Sequence, residues 1–184
     1  MRDKFKHVYG PVASRRLGQS LGIDLIPHKT CSYDCIYCQL GRTTNKTIAR
    51  REYVQAIDVL EELREKLSSG VPCDYISLAG CGEPTLHSSI GEIIDNIKKM
   101  TNIPVAVLTN GSLLYLSEVQ EALMKSDLVI PSLDAGDLRV DGQSVSAVEL
   151  VDGSTVQCQR LVVTSIGRTS TPWFIASRTI CAGA

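Results

Sequence analysis

The segment Cys31-Ser-Tyr-Asp-Cys35-Ile-Tyr-Cys38 gathers three thiols within eight residues, and it constrains the chain more than any other feature. The chain has seven cysteines, an odd number, and its opening Met1 to Lys6 is charged and unlike a secretion signal. Both facts argue against a disulfide framework and for a reduced compartment where clustered thiolates hold metal. A C-x3-C-x2-C loop after a strand can wrap three thiolates around three corners of one 4Fe-4S cube, leaving the fourth iron open. Zinc competes for such a loop, with Cys73, Cys81 or His28 as a fourth ligand, although none has the usual paired spacing. Otherwise Cys73, Cys81, Cys158 and Cys181 are expected to be small buried apolar residues.

The fold expected around this loop is α/β. Short apolar runs alternate with helical periodicity from about residue 20 to 134, the pattern of β/α units on a parallel sheet. Strands are expected at Leu21 to Ile26, Tyr75 to Ala79, Val105 to Leu108 and Leu128 to Leu133. Tyr53, Ile57, Leu60, Leu63 and Leu67 recur at helical spacing before Gly70, a C-terminal stop. Ser89 with Glu92, and Ser117 with Gln120, read as capping boxes for two further helices. Ile90, Ile93, Ile94 and Ile97 form the inner face of the first, and Val119, Ala122 and Leu123 that of the second.

Ser77-Leu-Ala-Gly80-Cys-Gly82-Glu83-Pro-Thr85-Leu86 follows the second strand, on the rim where such folds present binding loops. Its glycines admit close backbone approach, and its acid suits an ammonium group. Thr109-Asn110-Gly111 and Ser132 with Asp134 fall on the same rim, where turn chemistry explains them equally well.

With these residues in place, the chain resembles the radical S-adenosylmethionine superfamily, defined by this cysteine spacing with an aromatic, here Tyr37, before the last cysteine. The resemblance implies a partial (β/α) barrel in which Cys31, Cys35 and Cys38 bind a 4Fe-4S cluster. S-adenosyl-L-methionine then chelates the open iron and is cleaved reductively to methionine and a 5′-deoxyadenosyl radical that abstracts hydrogen. It further implies that Tyr37 packs beside the adenine, that Gly80, Gly82 and Glu83 meet the methionyl amine, and that Asn110, Ser132 and Asp134 line the cofactor cavity. An external one-electron donor, flavodoxin- or ferredoxin-like, is a required partner. The Gly10 to Ile23 opening and Cys38-Gln-Leu-Gly41 resemble a stand-alone iron-sulfur oxidoreductase subgroup, distantly akin to wyosine-forming tRNA enzymes. Catalytic residues and substrate are not assigned.

The resemblance covers about residues 8–137, and only four strands can be placed where such cores have six β/α units. The expectation is therefore a barrel truncated after about four strands (1–137) with an atypical β-rich tail (138–184). Valine-rich runs Val145 to Leu150 and Val156 to Thr164 flank an Asp152-Gly153 turn. The tail reads as an out-of-frame segment, as a foreign strand pair resembling flavin-dependent disulfide reductases, or as a small extension covering a bare sheet edge. An inactive fragment or a metal-stabilised binding module is the alternative to an enzyme.

Charge adds little. Residues 1–51 hold ten Lys and Arg against three Asp and Glu, residues 52–137 five against fourteen. Arg15 with Arg16, and Arg42, Lys46, Arg50 and Arg51, suit phosphate contacts, but few aromatics interleave, so tRNA is a minor hypothesis. No apolar run approaches the roughly 20 residues needed to cross a bilayer, so a cytoplasmic protein is expected.

Overall fold

A computed structural model describes residues 5–36 and 38–132 in full and, beyond them, the backbone of five strands between 137 and 177. Tyr37, Leu133, Asp134, Gly142, Gln143, Leu150, the Asp152-Gly153 turn, Cys158, Ile166 to Arg168 and Cys181 lie outside the described residues.

The chain opens with strands β1 (Val8–Ser14) and β2 (Gly18–Ile23), then β3 (Thr30–Cys31) and β4 (Asn45–Lys46). Helix α1 (Ala56–Ser68), β5 (Tyr75–Leu78), a 3-10 turn at Pro84–Leu86, α2 (Ile90–Met100), β6 (Val105–Thr109), α3 (Ser117–Leu123) and β7 (Leu128–Pro131) follow. Strands β2, β5, β6 and β7 are adjacent and parallel, with Leu21 opposite Ile76, Ile76 opposite Val105, and Val107 opposite Val129. The tail supplies β8 (Asp137–Asp141), β9 (Ser144–Glu149), β10 (Thr155–Gln157), β11 (Leu161–Thr164) and β12 (Trp173–Ser177). The main sheet runs β1-β2-β5-β6-β7-β12-β11, and β10-β9-β8 form a separate three-stranded sheet.

Strand alternation divides the apolar residues between the faces of the sheet. Ile76, Leu78, Val105, Val107 and Val129 point to one face, where Val59 and Leu63 of α1, Ile90, Ile93, Ile94 and Ile97 of α2, and Val119 and Leu123 of α3 join them in one buried cluster. Each fully buried isoleucine of α2 contributes about 1.5–3 kcal/mol of transfer free energy. Ala106 and Ile130 point to the other face and bury against Leu17. The helices thus cover one face, and the loops leaving the C-terminal strand ends stay open at a single rim.

Several expectations need correction. Strand β1 has no apolar alternation and contains Gly10 and Pro11, which the sequence pattern passes over; its edge position tolerates both, through a register shift between Tyr9 and Val12. Strand β2 begins at Gly18 and ends at Ile23, short of Ile26; one last bond, Asp24 N–H to the His7 carbonyl (2.8 Å), follows before the chain turns at Pro27, whose carbonyl accepts from Thr30 N–H (3.0 Å). Neither capping box forms. The Ser89 side chain makes no cap bond, and its N–H, the group Glu92 would reach in a capping box, is held by His87 Nδ1 at 3.2 Å. At α3 the N-cap is Leu116, and Gln120 Nε2 donates instead to the Leu114 carbonyl at 2.7 Å. The run Val156 to Thr164 is not one strand: β10 pairs with β9, whereas β11 pairs with β12, which pairs with β7.

Candidate functional site

Parallel strands β2, β5, β6 and β7 all end at the same rim, so the segments after them meet there. The segment after β2 carries the cysteines. Thr30 and Cys31 pair with Asn45 and Lys46, which closes the base of loop 31–43, and Thr47 N–H adds a bond to the Cys31 carbonyl at 2.9 Å. Inside the loop, Cys38 N–H reaches the Cys35 carbonyl (3.0 Å) and Gly41 N–H the Cys38 carbonyl (2.9 Å). Asp34 Oδ1 accepts the Thr43 N–H at 2.7 Å, and Thr43 Oγ1 donates to the Tyr33 carbonyl at 2.6 Å. These two bonds latch the middle of the loop to its exit. The Thr43 amide and Arg42 hold the Asp34 carboxyl below its ordinary pKa.

The segment after β5 lies directly beneath. A Cβ on Gly82 would sit 2.1 Å from the Thr30 carbonyl, and one on Gly80, at φ +128°, 1.8 Å from Asp24 Oδ1. The two loops therefore approach to a distance that only glycine permits. Lys29 N–H donates to the Cys81 carbonyl (2.7 Å), Glu83 N–H to the Thr30 carbonyl (3.3 Å), and Cys81 N–H to Asp24 Oδ1 (2.6 Å). Burial, reinforced by Asp24, pushes the Cys81 thiol up to about 11, so Sγ keeps its proton and donates to Asp24 Oδ2 at 3.4 Å.

Glu83 turns away from this meeting point. Its carboxylate is 2% exposed; Oε1 accepts from Thr85 N–H (3.1 Å), Thr85 Oγ1 and Thr109 Oγ1 (2.6 Å), and Oε2 from Asn110 N–H (2.7 Å). Burial raises its pKa while these four donors oppose the rise. Glu83 thus ties the loop after β5 to the loop after β6. Asn110 reaches onward, its Nδ2 donating to Ser32 Oγ at 2.9 Å and to Cys31 Sγ at 3.4 Å.

Between the loops lies a cavity of about 100 Å³ lined by Cys31, Cys35, Cys38, Lys29, Gly41 and Gly80 to Gly82, with Tyr33, Leu40 and Thr43 at its wall. Burial raises the Cys31 thiol. The structure thus brings together the three cysteines, Gly80 and Gly82. Glu83 and Asn110 stand behind the cavity, and Ser132, whose N–H pairs with the Thr109 carbonyl at 2.8 Å, is not among its lining residues. Tyr37 and Asp134 lie outside the described residues.

Of the alternative ligands, Cys73 precedes β5 and sits at the opposite end of the sheet, packed against the core. His28 does not line the cavity, but Cys81 does, which corrects its expected role as plain packing. Among the described residues, no three His, Cys, Asp or Glu side chains are grouped as a single metal ion requires. Three cysteines lining one small cavity are the donor set of a cluster that takes one thiolate at each of three corners.

Sequence reasoning missed Asp24 and Lys29. Asp24 directly follows a parallel strand, which is itself a rim signal. Lys29 has a left-handed backbone (φ +59°), fixed by the bond to Cys81 and by its own carbonyl, which accepts from Thr44 N–H and Asn45 N–H, each at 3.2 Å. The basic residues separate in the structure. Arg15 and Arg16 occupy the β1–β2 turn, at the far end of the sheet from the cavity. Arg50 is consumed internally, donating to the Thr85 (2.9 Å) and His87 (3.3 Å) carbonyls and pairing with Glu118.

This is a parallel α/β protein that gathers a triple-thiol loop and a glycine-acid loop at one rim. The chain belongs to the radical SAM superfamily, whose family model matches residues 25–143. It is 53% identical over 135 residues to a protein of Brachyspira hyodysenteriae named GTPase Obg (73% of this chain, 20% of that one). It is 41% identical over 134 residues to a UPF0026 protein of Methanocaldococcus jannaschii (72% and 41%), and 31% identical over 124 residues to a probable GTP 3′,8-cyclase of Methanococcus aeolicus (65% and 38%). The chain spans between a fifth and about two fifths of the length of these relatives. No G-x4-G-K-[S/T] phosphate loop occurs in it. Among the described residues, no helix is long and apolar enough to cross a membrane.

Proposed function

We propose that this chain binds a 4Fe-4S cluster through Cys31, Cys35 and Cys38 and uses it to cleave S-adenosyl-L-methionine reductively. The observation that carries the reading is the convergence of these three cysteines with Gly80, Cys81 and Gly82 on one cavity. When bound, the cluster supplies one electron to the sulfonium, yielding methionine and a 5′-deoxyadenosyl radical for hydrogen abstraction. The electron comes from a flavodoxin- or ferredoxin-like donor.

The protein's own contribution is placement. The Asp34–Thr43 latch and the β3–β4 pairing hold the cysteine loop in its turn. The backbone of Gly80 to Gly82 would receive the methionyl amine, while Glu83 acts from behind by fixing that backbone to Thr109 and Asn110. Lys29, at the cavity wall, has a charge suited to the methionyl carboxylate. Residues 1–137 carry this function, and β12 of the tail covers the β7 edge.

Anaerobic reconstitution with iron and sulfide, reduction, and assay of 5′-deoxyadenosine tests the reading. About four irons per chain and S-adenosyl-L-methionine-dependent 5′-deoxyadenosine are expected. One zinc per chain without iron, held by the three cysteines and Cys81, overturns the cluster; a cluster that never cleaves the cofactor reduces the chain to a binding module.

A further inference from the structure

We propose that Asn110 is a hydrogen-bond donor to the Cys31 thiolate and that this bond sets the reduction potential of the cluster. The inference rests on the cluster reading above and assigns Asn110 a task on the sulfur, in place of a contact to the nucleoside.

The side-chain amide has one orientation available. Oδ1 accepts the Ser112 N–H at 2.9 Å, so Nδ2 must face the cysteine loop. Its two protons are then divided between Ser32 Oγ (2.9 Å) and Cys31 Sγ (3.4 Å). Ser32 Oγ is in turn 2.5 Å from Ser112 Oγ, which closes a ring of polar contacts around the amide.

The backbone of Asn110 is equally constrained. Its N–H lies on buried Glu83, the next residue, Gly111, takes φ +79°, and Gly111 N–H bonds Thr109 Oγ1 at 3.1 Å. The donor is therefore aimed at Cys31 without any ligand to place it. Asparagine is the residue that meets every demand at once: an acceptor for Ser112, one donor for a hydroxyl and one for a sulfur. Serine or aspartate would serve the turn alone equally well.

A hydrogen bond to a cluster sulfur withdraws charge from it and favours the more negative, reduced state. Losing the bond makes the cluster harder to reduce.

The test is potentiometric titration, followed by electron paramagnetic resonance, of reconstituted wild type, Asn110→Ser and Ser32→Ala. Asn110→Ser is expected to disfavour reduction about tenfold, a midpoint about 59 mV lower for a one-electron couple. Ser32→Ala leaves the Nδ2–Sγ contact in place and is expected to keep the wild-type midpoint. Equal midpoints for wild type and Asn110→Ser overturn the inference. An equal fall in Ser32→Ala overturns it too, since loop packing then explains both. If Asn110→Ser takes up no cluster, wild type grown with ¹⁵N-asparagine decides: a ¹⁵N coupling in the reduced cluster supports the bond, and its absence overturns it. A wild-type chain that takes up no iron overturns the cluster reading itself, an outcome none of the variants can mimic.

Discussion

Loops 31–43 and 80–85 face each other across one cavity, but the first is tied by partly exposed groups and the second by buried ones. In loop 31–43 the latch is Asp34, which is only partly buried, and its partner Arg42 is 93% exposed. Ile36 at the tip is wholly exposed. In loop 80–85 the tie is Glu83 with four donors, beside Pro84, Thr85 and Leu86, all buried. Polar bonds are worth most where water cannot replace them, so the two halves of the site differ in rigidity. The glycine-acid loop is finished on folding; the cysteine loop keeps freedom that metal ligation can remove.

Breaking the rigid half has the largest expected effect. Glu83→Ala strands the N–H groups of Thr85 and Asn110 in the interior and is expected to cost about 3–5 kcal/mol in denaturant unfolding. A loss below about 1 kcal/mol would place Glu83 outside the scaffold. Gly82→Ala forces a methyl against the Thr30 carbonyl and Ile26, and an overpacking loss of about 1–3 kcal/mol is expected, with lower iron uptake. An unshifted unfolding midpoint would show that the loops part freely.

A smaller effect concerns acidity. The folded-state pKa of Cys81 lies above the ordinary 9.0, so the neutral thiol's stabilising contribution is complete below that value and is lost as pH rises through about 11. Alkylation of Cys81 by iodoacetamide is expected to accelerate through about pH 11; a midpoint near 9 would show that neither burial nor Asp24 holds the thiol. The smallest effect on stability belongs to Asp34→Ala, for which thermal unfolding barely moves. Its cluster should nevertheless lose iron to a chelator severalfold faster than wild type, and equal rates would show that the latch holds nothing.

What was legible in the sequence follows the same division. Four parallel strands and three helices could be read because Ile76, Val105 and Val129, or Ile90 to Ile97, repeat at periods that backbone geometry imposes. The cysteine loop declared itself by spacing alone. Glu83 was found, but the direction of its side chain was not, because an acid aimed at a ligand and an acid aimed at Thr109 look alike in one dimension. β1 stayed hidden because its strand character comes from pairing with β2, not from its own residues. Asn110 acts on Ser32 across 78 positions and Asp24 on Cys81 across 57, separations no local pattern records.

Lys29 is where these loops are joined mechanically. Its N–H is held by Cys81, its carbonyl is shared by Thr44 and Asn45, and its side chain stands at the cavity wall, all from one residue in a left-handed turn. Any displacement of the glycine-acid loop travels through that peptide to both ends of the cysteine loop. A ligand that presses on the rigid loop therefore bears, through Lys29, on the base of the freer one.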